Sequence, residues 1–445
     1  MDNTAATIQI GTSNLRDSKE LKQTISEIIV EYTFIYVQTG AIEWSRHGRE
    51  RMLQVARDTG AGMVYSNYRK VKNDRIETFP CLDYQLGSLR DDFDFGAVLL
   101  YKTAVLKQAV SKISNMFRFA ALYALRLNAS LLSDFVHIDE ALYWVRDEAD
   151  ILSRNAHFAY VDPRNREVQL EMEAACTQYL KDKKAYLKPE FKEIDIAEGN
   201  FPVEASVIIP VKNRRQTIKE AVLSALGQQT PFPFNVIVVD NYSTDGTSEV
   251  LKELNEQHEQ LIVIIPEPDD LGIGGCWNEG IMHRECGRFA VQLDSDDLYI
   301  DDQVLARIVS EFYTQQTPML VGSYQLVDFG LNELPPGLID HREWTEENGR
   351  NNLLRINGLG APRAFYTPVA REIKFPNVSY GEDYFMGLAI SHRYRIGRIY
   401  DSLYLCRRWE GNTDSKPDAM KLNAFNHYKD SLRTQEMMKR INRNK

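Results

Sequence analysis

Short, almost entirely apolar runs alternate with amphipathic stretches along the second half of the chain. The apolar runs lack period-two alternation, which favours strands buried on both faces, whereas the stretches between them place apolar residues three or four positions apart, as helices do. Buried strands separated by helices indicate a parallel sheet covered on both faces. The predicted strands are residues 206–209, 235–239, 261–265 and 289–293, with helices near 218–226, 248–256 and 277–282.

Polar clusters follow three of these predicted strands, at Pro210–Arg215, Asp240–Gly246 and Asp294–Asp297. Ligands of parallel sheets bind beyond the carboxyl ends of the strands, so we expect the clusters to meet at one edge. Two carboxylates one residue apart point to the same side of an extended chain and can hold a divalent cation. Asp-x-Asp by itself occurs by chance and is more often a pair of solvated loop acids than a metal site. The prediction of a site therefore depends on all three clusters.

Composition limits the classes of function. The 445 residues are enough for two or three domains, and the net charge of −10 argues against a nucleic-acid partner. Five scattered cysteines without paired spacing suit a reducing cytoplasm and disfavour a zinc site. The N-terminus lacks the pattern of a signal peptide, and no apolar run approaches the roughly 20 residues of a membrane span. We therefore expect a cytoplasmic protein.

The C-terminal residues 438–445 are locally basic. They would either contact anionic lipid at the inner face of the membrane or form a solvated helix end, and the second alternative is favoured. The sequence leaves oligomerisation open.

The motifs occur in a familiar order. Val207–Arg214, Val239–Thr247, Asp294–Asp297 and Gly381–Asp383 resemble the signature series of family-2 glycosyltransferases, which are inverting enzymes of the GT-A fold. The resemblance covers residues 203–415 and implies an α/β architecture with a mixed, mainly parallel sheet flanked by helices. It also implies metal-dependent transfer of a sugar from a nucleotide-diphosphate sugar to a hydroxyl of a glycan or glycolipid, as in polysaccharide biosynthesis. A UDP-sugar is the favoured donor and a GDP-sugar the alternative.

The same resemblance implies roles for individual residues. Asp383 would be the general base that deprotonates the acceptor, while Asp296 and Asp294 would hold Mn²⁺ or Mg²⁺. One base suffices, because a metal-bound diphosphate leaves without a proton. The implied nucleotide-sugar contacts are Pro210, Val211, Asn213, Asp240, Asn241, Asp245, Asn278, Asp294, Ser295 and Arg407, and the implied acceptor contacts are Trp344, Glu382 and Trp409.

Several of these residues have a structural alternative. Asp245 begins a good helix-capping sequence, and Gly381–Asp383 alone would be a helix N-terminus with favourably placed acids. Arg407 could form an ion pair with the protein instead of the diphosphate, and Trp344 or Trp409 could pack instead of stacking on a sugar.

Three positions depart from the family pattern. Asn241 stands where many relatives carry an acid that accepts a hydrogen bond from uracil N3–H, and an amide can both accept and donate. The donor base is therefore open. Trp277 precedes Asn278 where relatives often show an arginine. Trp409 stands where a histidine often provides a third metal ligand, so either Glu410 or water completes the coordination shell or the metal is held loosely.

The first half of the chain contains a partial copy of the second. Gly96–Thr103 aligns with Gly360–Thr367, and the pattern Ile-x-x-x-Leu-Tyr-x-x-Arg occurs at 138–146 and again at 399–407. This alignment places Gln38 and Gly40 at the positions of Asp294 and Asp296, and Phe119–Ala120 at the position of Glu382–Asp383.

We therefore interpret residues 1–158 as a truncated GT-A-like domain without catalytic acids, used for packing, oligomerisation or acceptor binding. The alternative is a different α/β domain with chance matches. A helical linker at 159–202, a catalytic domain at 203–415 and a C-terminal helical tail at 416–445 complete the predicted organisation.

Two other functions compete with glycosyl transfer. A nucleotidyltransferase that makes an activated sugar would bind nucleotides on a similar sheet, but the chain lacks a glycine-rich, lysine-bearing loop near its N-terminus. A non-catalytic binding scaffold would not require the acids at Asp294, Asp296 and Asp383.

Overall fold

The computed structural model describes residues 5–9, 17–37, 41–72, 75–146, 165–342, 345–412 and 418–445. These residues form two compact units. The first contains the described residues up to 146 together with 165–186 and 418–445, and the second contains residues 187–412. Among the described residues, none of the helices combines the length and the apolar character that a bilayer span requires.

The first unit is built on a mixed sheet with strand order β1-β2-β6-β4-β7-β3 and with β5 paired to β4. Its elements are β1 (Ala5–Gln9), α1 (Ser18–Ser26), β2 (Tyr32–Tyr36), β3 (Ala41–Trp44), α2 (Gly48–Thr59), β4 (Met63–Lys72), β5 (Arg75–Phe79), β6 (Val98–Lys102), α3 (Thr103–Ser111), α4 (Ala121–Ser130), β7 (Phe135–Arg146), α5 (Arg166–Asp182) and, from the end of the chain, α13 (Ala419–Arg443).

The second unit has a larger mixed sheet, with strand order β10-β9-β8-β11-β15-β13-β16-β12 and with β14 paired to β13. Its elements are β8 (Ala205–Val211), α6 (Ile218–Leu226), β9 (Phe234–Asp240), α7 (Thr247–Gln257), β10 (Leu261–Ile264), α8 (Ile273–Met282), β11 (Phe289–Gln292), β12 (Leu298–Tyr299), α9 (Val304–Gln315), β13 (Met319–Asp328), β14 (Glu333–Ile339), a 3-10 turn (Glu346–Asn348), α10 (Gly349–Asn352), β15 (Arg363–Tyr366), α11 (Thr367–Ile373), α12 (Glu382–Ser391) and β16 (Gly397–Arg408).

The predicted apolar strands form the centre of the second sheet. β10, β9, β8 and β11 are adjacent and parallel, and every residue of β9 is buried. Burial of a large aliphatic side chain contributes roughly 1.5–3 kcal/mol, which explains why these runs form the core of the sheet. β15 pairs antiparallel with β11 and β13, so the sheet is mixed. The predicted α/β fold with a mixed sheet is therefore confirmed.

The two sheets repeat the same topology. In the first, β1 is parallel to β2, β2 is antiparallel to β6, and β4 is parallel to β7. In the second, the same relations join β8 to β11, β11 to β15, and β13 to β16. Both long parallel pairs also change register at the matching residue, Asn67 in β4 and Ser323 in β13. The second sheet continues beyond β8 with β9 and β10, whereas β1 is the edge of the first sheet as described.

This register corrects the alignment of the two halves. Tyr32 pairs with Lys102 as Phe289 pairs with Tyr366, which places Val37 at the position of Asp294. Gln38 and Gly40, which the sequence suggested for the acidic positions, lie outside the described residues.

The alignment of the two halves needs a second correction, at α4. The Tyr123 hydroxyl donates to the Leu89 carbonyl as the Tyr384 hydroxyl donates to the Leu353 carbonyl. Ala121–Leu122, not Phe119–Ala120, therefore correspond to Glu382–Asp383. The error arose because the spacing between the matching motifs differs in the two halves.

The predicted linker and tail do not form separate segments in the structure. α5 and α13 both belong to the first unit, while residues 187–202 belong to the second. α13 is held by buried charges rather than by apolar residues alone: Asp430 pairs with Arg433 at 2.8 Å and with Arg90 at 3.4 Å. Arg440 in the basic tail is likewise buried and pairs with Glu436 at 2.6 Å.

Candidate active site

The acidic cluster forms a tight turn directly after β11. The Asp297 amide donates to the Asp294 carbonyl at 3.1 Å, and the Asp294 amide donates to the Tyr404 hydroxyl at 2.9 Å. Tyr404 is buried in β16, so the turn is fixed to the neighbouring strand. The acidic residues lie directly beyond the carboxyl end of β11, where Asp296 and Asp297 are buried among polar partners.

Side chains from two other segments converge on Asp296. Its Oδ2 atom accepts hydrogen bonds from Trp409 Nε1 and Asn412 Nδ2, both at 3.2 Å, and lies 3.7 Å from Arg214 Nε. Arg214 follows β8, whereas Trp409 and Asn412 follow β16. The structure thus brings the first and third sequence motifs together with the segment after β16 around one carboxylate.

Negative charge accumulates at this turn. Burial, together with the charges of Asp296 and Asp294, raises the pKa of Asp297 well above its usual range. Burial also raises the pKa of Asp294, although the Arg363 guanidinium opposes this shift. A bound cation would relieve the repulsion between the carboxylates.

Arg407 supports the acidic turn from inside the protein. Its side chain is buried, its Nε donates to the Asp296 carbonyl, and its guanidinium pairs with Glu220. Its backbone amide donates to Asp297 Oδ1 at 2.7 Å. We expected Arg407 to contact the diphosphate. The structure instead supports the alternative of an ion pair within the protein, because its contacts hold the turn in place.

Asp383 lies in the first turn of α12, after Gly381, whose positive φ of 81° favours glycine. Its Oδ2 atom pairs with Arg363 at 2.8 Å. Arg363 begins β15, and its backbone amide donates to Gln292 Oε1 at 3.0 Å. Gln292 Nε2 in turn donates to Asp294 Oδ1 at 2.8 Å, so a continuous series of polar contacts links Asp383 to the acidic turn.

Asp240 and Asn241 lie together at the end of β9. Asp240 is buried and accepts hydrogen bonds from the Ser243 amide and the Ser248 hydroxyl. Asn241 Nδ2 donates to the Leu271 carbonyl at 2.7 Å, which fixes the orientation of the amide. Asn241 Oδ1 is buried and has no hydrogen-bond partner within the described structure. A buried acceptor without a partner costs about 1–3 kcal/mol, so this atom is suited to a donor on a ligand.

Three of the implied nucleotide contacts have structural partners instead. Asn213 Oδ1 accepts from the Thr244 amide at 2.8 Å, and Asp245 Oδ1 accepts from the Thr247 amide at 3.0 Å at the start of α7. Both side chains shape the loops after β8 and β9. Asn278 donates to the Phe375 carbonyl and accepts from the Phe375 amide, which occupies both ends of its amide. Asn278 therefore has a backbone partner at each end of its amide, and its role as a nucleotide ligand stays a prediction.

The remaining predicted residues differ in position. Val211 and Ser295 are buried, and Pro210 is half-buried in β8. Glu382, beside Asp383, is buried. Trp409 packs against Phe329, with 5.4 Å between ring centroids, in addition to its bond to Asp296. The last residue, Trp344, lies outside the described residues.

Sequence reasoning missed Arg214, Gln292, Arg363 and Asn412. Arg363 could have been found, because the repeat aligns it with Leu99, and a charged residue replacing an apolar one inside a strand requires a partner. Gln292 gave a similar signal as the polar residue of an otherwise apolar run. Arg214 and Asn412 had no such signal, since both lie in polar loops.

The residues at the turn fit a weakly enclosed divalent cation. No cluster of three or more metal-ligating His, Cys, Asp or Glu side chains occurs in the described parts of the chain. The described hydrogen bonds of the Asp296 carboxylate reach Oδ2, which leaves Oδ1 for a ligand. Mg²⁺ is commonly held by one or two carboxylates plus substrate phosphates, which requires no closed protein cage.

Part of the chain is similar to known glycosyltransferases. Residues 206–370 match the family model Glycosyl transferase family 2, a segment that includes Asp294 and Asp296 and ends before Asp383. TuaG of Bacillus subtilis strain 168, a glycosyltransferase assigned by name to teichuronic acid biosynthesis, is 34% identical over 105 residues, which are 24% of this chain and 40% of TuaG. The poly(ribitol-phosphate) beta-glucosyltransferase of Bacillus spizizenii is 29% identical over 121 residues, 27% of this chain and 19% of that enzyme. The chain thus spans less than half of these relatives.

Among solved structures, S. aureus TarS 1-349 in complex with UDP-GlcNAc aligns with a TM-score of 0.40 and 22% identity, over 53% of this chain and 72% of TarS 1-349. The mannosyltransferase PcManGT of Pyrobaculum calidifontis, in complex with GDP-Man and Mn²⁺, aligns with a TM-score of 0.38 and 17% identity, over 61% of this chain and 83% of PcManGT.

Proposed function

Because residues 206–370 are a glycosyl transferase family 2 domain, we propose that the protein transfers a sugar from a nucleotide-diphosphate sugar to a hydroxyl of a glycan or glycolipid, with inversion. The observation that carries this proposal is the connection of Asp383 to the acidic turn through Arg363 and Gln292. This connection supports a base and a diphosphate site that act together at one edge of the sheet. The names of the relatives support an acceptor from the polymers of a bacterial cell wall.

The nucleotide would bind beyond β8 and β9. The Oδ1 atom of Asn241 would accept a hydrogen bond from the base, because Nδ2 is already bound to Leu271. Uracil, thymine and guanine offer a ring N–H to such an acceptor, whereas cytosine presents a lone pair at N3. Replacing the acid common among relatives by Asn241 therefore retains the acceptor, and a UDP-sugar stays the favoured donor.

The diphosphate would lie at Asp296. Asp296, with Asp294 nearby, would hold Mn²⁺ or Mg²⁺. When bound, that cation neutralises the diphosphate and acts as a Lewis acid for its departure. Trp409 and Asn412 fix the Asp296 carboxylate from one side. Arg214 provides a positive charge 3.7 Å from the same carboxylate, within reach of an anionic ligand at this edge.

Asp383 would remove the proton from the acceptor hydroxyl as that oxygen attacks the anomeric carbon. Its side chain is 20% exposed, which leaves a face open to an acceptor. No second carboxylic acid is required, because the diphosphate leaves as an anion, unlike the leaving group in glycoside hydrolysis. Glu382 would contact the acceptor beside it.

For the first unit we propose a degenerate GT-A-like copy without catalysis. The matching topology supports a shared origin, and the first sheet lacks described counterparts of β9 and β10. The N-terminus of α4 is also occupied: the Glu171 carboxylate accepts hydrogen bonds from the backbone amides of Phe119 and Ala120. An acceptor could therefore not bind at the N-terminus of α4 in the way that we propose for the N-terminus of α12, beside Asp383. Packing, oligomerisation and acceptor binding stay open as roles.

We further propose a cytoplasmic location. No disulfide joins any of the five cysteines, all of which lie in the described parts of the chain, and this supports a reducing compartment.

The test is the release of UDP from UDP-glucose and UDP-N-acetylglucosamine in the presence of Mn²⁺, with and without a wall-polymer preparation. We expect the wild-type protein to release UDP, and Asp383→Asn to lose this activity by at least 100-fold while binding UDP normally. Near-normal turnover by Asp383→Asn would disprove the assignment of the base. Consumption of UTP and a sugar phosphate, instead of the UDP-sugar, would favour a nucleotidyltransferase.

A further inference from the structure

Arg363 occupies a central position between two acidic residues that the proposed reaction uses. Its guanidinium pairs with Asp383 at 2.8 Å and donates to the Leu359 carbonyl at 2.6 Å. Only 15% of its side chain is exposed. A buried guanidinium held from two sides has little freedom to reorient, so the carboxylate paired with it is also fixed.

Gln292 extends this arrangement to the acidic turn. It is buried at the end of β11, where its carbonyl oxygen accepts from the Arg363 amide and its amide nitrogen donates to Asp294 Oδ1. The carbonyl oxygen of Gln292 thus contacts β15, and its amide nitrogen contacts the acidic turn. The position of Asp294 and the position of Arg363 are coupled through it.

The first unit provides an internal comparison. Its register places Ile35 at the position of Gln292, Val37 at that of Asp294 and Leu99 at that of Arg363. Tyr123 in α4 and Tyr384 in α12 make equivalent hydrogen bonds, so the residue before Tyr123, Leu122, corresponds to Asp383. All four polar residues are apolar in the copy that lacks the predicted base. Ile35 and Leu99 face each other in register and still form a well-paired sheet, so the fold itself does not require the polar series.

We propose that Arg363, together with Gln292, is a positioning residue that holds Asp383 at a fixed place relative to the diphosphate site. The proposal rests on the function proposed above. Arg363 does not contact the reacting atoms in this scheme. It holds the carboxylate of Asp383 in a fixed orientation, and Gln292 relates that orientation to Asp294.

The experiment compares Arg363→Met and Arg363→Lys with the wild-type protein. The readouts are UDP release from UDP-glucose and UDP-N-acetylglucosamine with Mn²⁺, UDP affinity and thermal stability. We expect Arg363→Met to lower kcat by about 100-fold, the cost of a base misplaced by about 1 Å, while UDP affinity changes less than about threefold. Arg363→Lys retains the charge without the planar fork, so it should recover part of kcat.

A matched control exists in the same unit. Arg288 pairs with Glu204 at 3.3 Å, with side-chain exposures of 12% and 21%, close to the 15% and 20% of the Arg363–Asp383 pair. Arg288→Met should cost similar stability and leave kcat unchanged. The split between kcat and KM provides a second readout: in Arg363→Met kcat should fall while the KM for the UDP-sugar stays close to that of the wild-type protein, because the substitution misplaces the base and leaves the nucleotide site intact.

The outcomes separate the two proposals. If the wild-type protein releases no UDP while its fold is intact, the proposed function fails. If the wild-type protein is active and Arg363→Met is equally active, only the positioning role is overturned. It is also overturned if Arg288→Met and Arg363→Met lower kcat equally, or if the loss in Arg363→Met merely follows the fraction of unfolded protein.

Discussion

Trp409 donates its indole N–H to Asp296 Oδ2 across 3.2 Å. The sequence suggested that Trp409 replaces a metal-ligating histidine and that the site loses a ligand there. In the structure the indole orients the acidic residue instead. The two residues thus form a unit in which Trp409 fixes one carboxylate oxygen and the other is left for a cation.

Trp409→Phe should therefore weaken Mn²⁺-dependent UDP binding by about fivefold to tenfold, since a hydrogen bond to a charged group contributes about 1.5–3 kcal/mol, reduced here by partial exposure. The ring packing on Phe329 would be retained. Isothermal titration calorimetry measures the change. Trp44→Phe is the matched control, because Trp44 also donates its indole N–H, to the Tyr36 hydroxyl at 3.0 Å in the first unit. Equal affinities of Trp409→Phe and the wild-type protein would contradict the assigned role.

Asp245→Ala should lower thermal stability without changing UDP affinity. Burial opposes ionisation of Asp245, but hydrogen bonds from Thr247 and the Arg215 amide together outweigh it and lower the pKa of this carboxyl group. A lowered pKa means that the carboxylate stabilises the fold above about pH 4 and that this contribution is lost as the pH falls through the folded-state pKa.

Losing the hydrogen bonds that Asp245 accepts from the Thr247 and Arg215 amides costs about 1 kcal/mol, or roughly 2–4 °C for a unit of this size. The difference in melting temperature between Asp245→Ala and the wild-type protein should therefore shrink below about pH 4. Asp245→Asn should recover part of the stability, because the amide oxygen of Asn can accept the same hydrogen bonds. A large loss of UDP affinity in Asp245→Ala would show ligand contact after all.

Asn241→Leu should remove the discrimination between nucleotides. The wild-type protein should prefer UDP to CDP, because Asn241 Oδ1 can accept from uracil N3–H but not from cytosine N3. The substitution should reduce that preference by about tenfold, as expected for one buried hydrogen bond. Asn235→Leu is the control: Asn235 is also buried, but it bonds to Ser206 and the Glu285 carbonyl. An unchanged ratio of UDP to CDP affinity in Asn241→Leu would refute the base contact.

One nucleotide should bind per chain. The acidic residues Asp294 and Asp383 correspond to Val37 and Leu122 in the first unit, which therefore lacks the charges of the proposed site. Calorimetric titration of the full chain with UDP and Mn²⁺ should give a stoichiometry near one. A stoichiometry of two, with all binding lost only when both units carry substitutions, would contradict the interpretation of the first unit as a degenerate copy.

The sequence predicted the centre of the second sheet well, because β8, β9 and β11 are apolar runs whose burial dominates the local energetics. The positions of the acidic residues at the strand ends were equally predictable from the sequence. Side-chain partners were not, because Asn278, Asp245 and Arg407 have polar groups that suit either a ligand or a backbone amide. Only the fold shows that the Phe375 backbone occupies both ends of the Asn278 amide.

The repeat was predictable in outline but not in register. Matching motifs such as Tyr143 and Tyr404 identified it, whereas loops of different length between motifs shifted the alignment by one residue at Val37 and by two at Leu122. Strand pairing fixes the register, since a shift of one residue would turn every side chain to the opposite face of the sheet.

The most direct test of the proposed site is a thermal-shift comparison of UDP, GDP, CDP and dTDP, each with and without Mn²⁺, on the wild-type protein, Asp296→Ala and the exposed control Glu259→Ala. Saturating nucleotide at about 100 times its dissociation constant stabilises a protein by about 2.7 kcal/mol, which corresponds to a shift of several degrees. We predict a Mn²⁺-dependent shift with UDP that is lost in Asp296→Ala and retained in Glu259→Ala. Shifts of equal size in the wild-type protein and Asp296→Ala, or no shift with any of the four nucleotides, would contradict the assignment of this edge of the sheet as a nucleotide-sugar site.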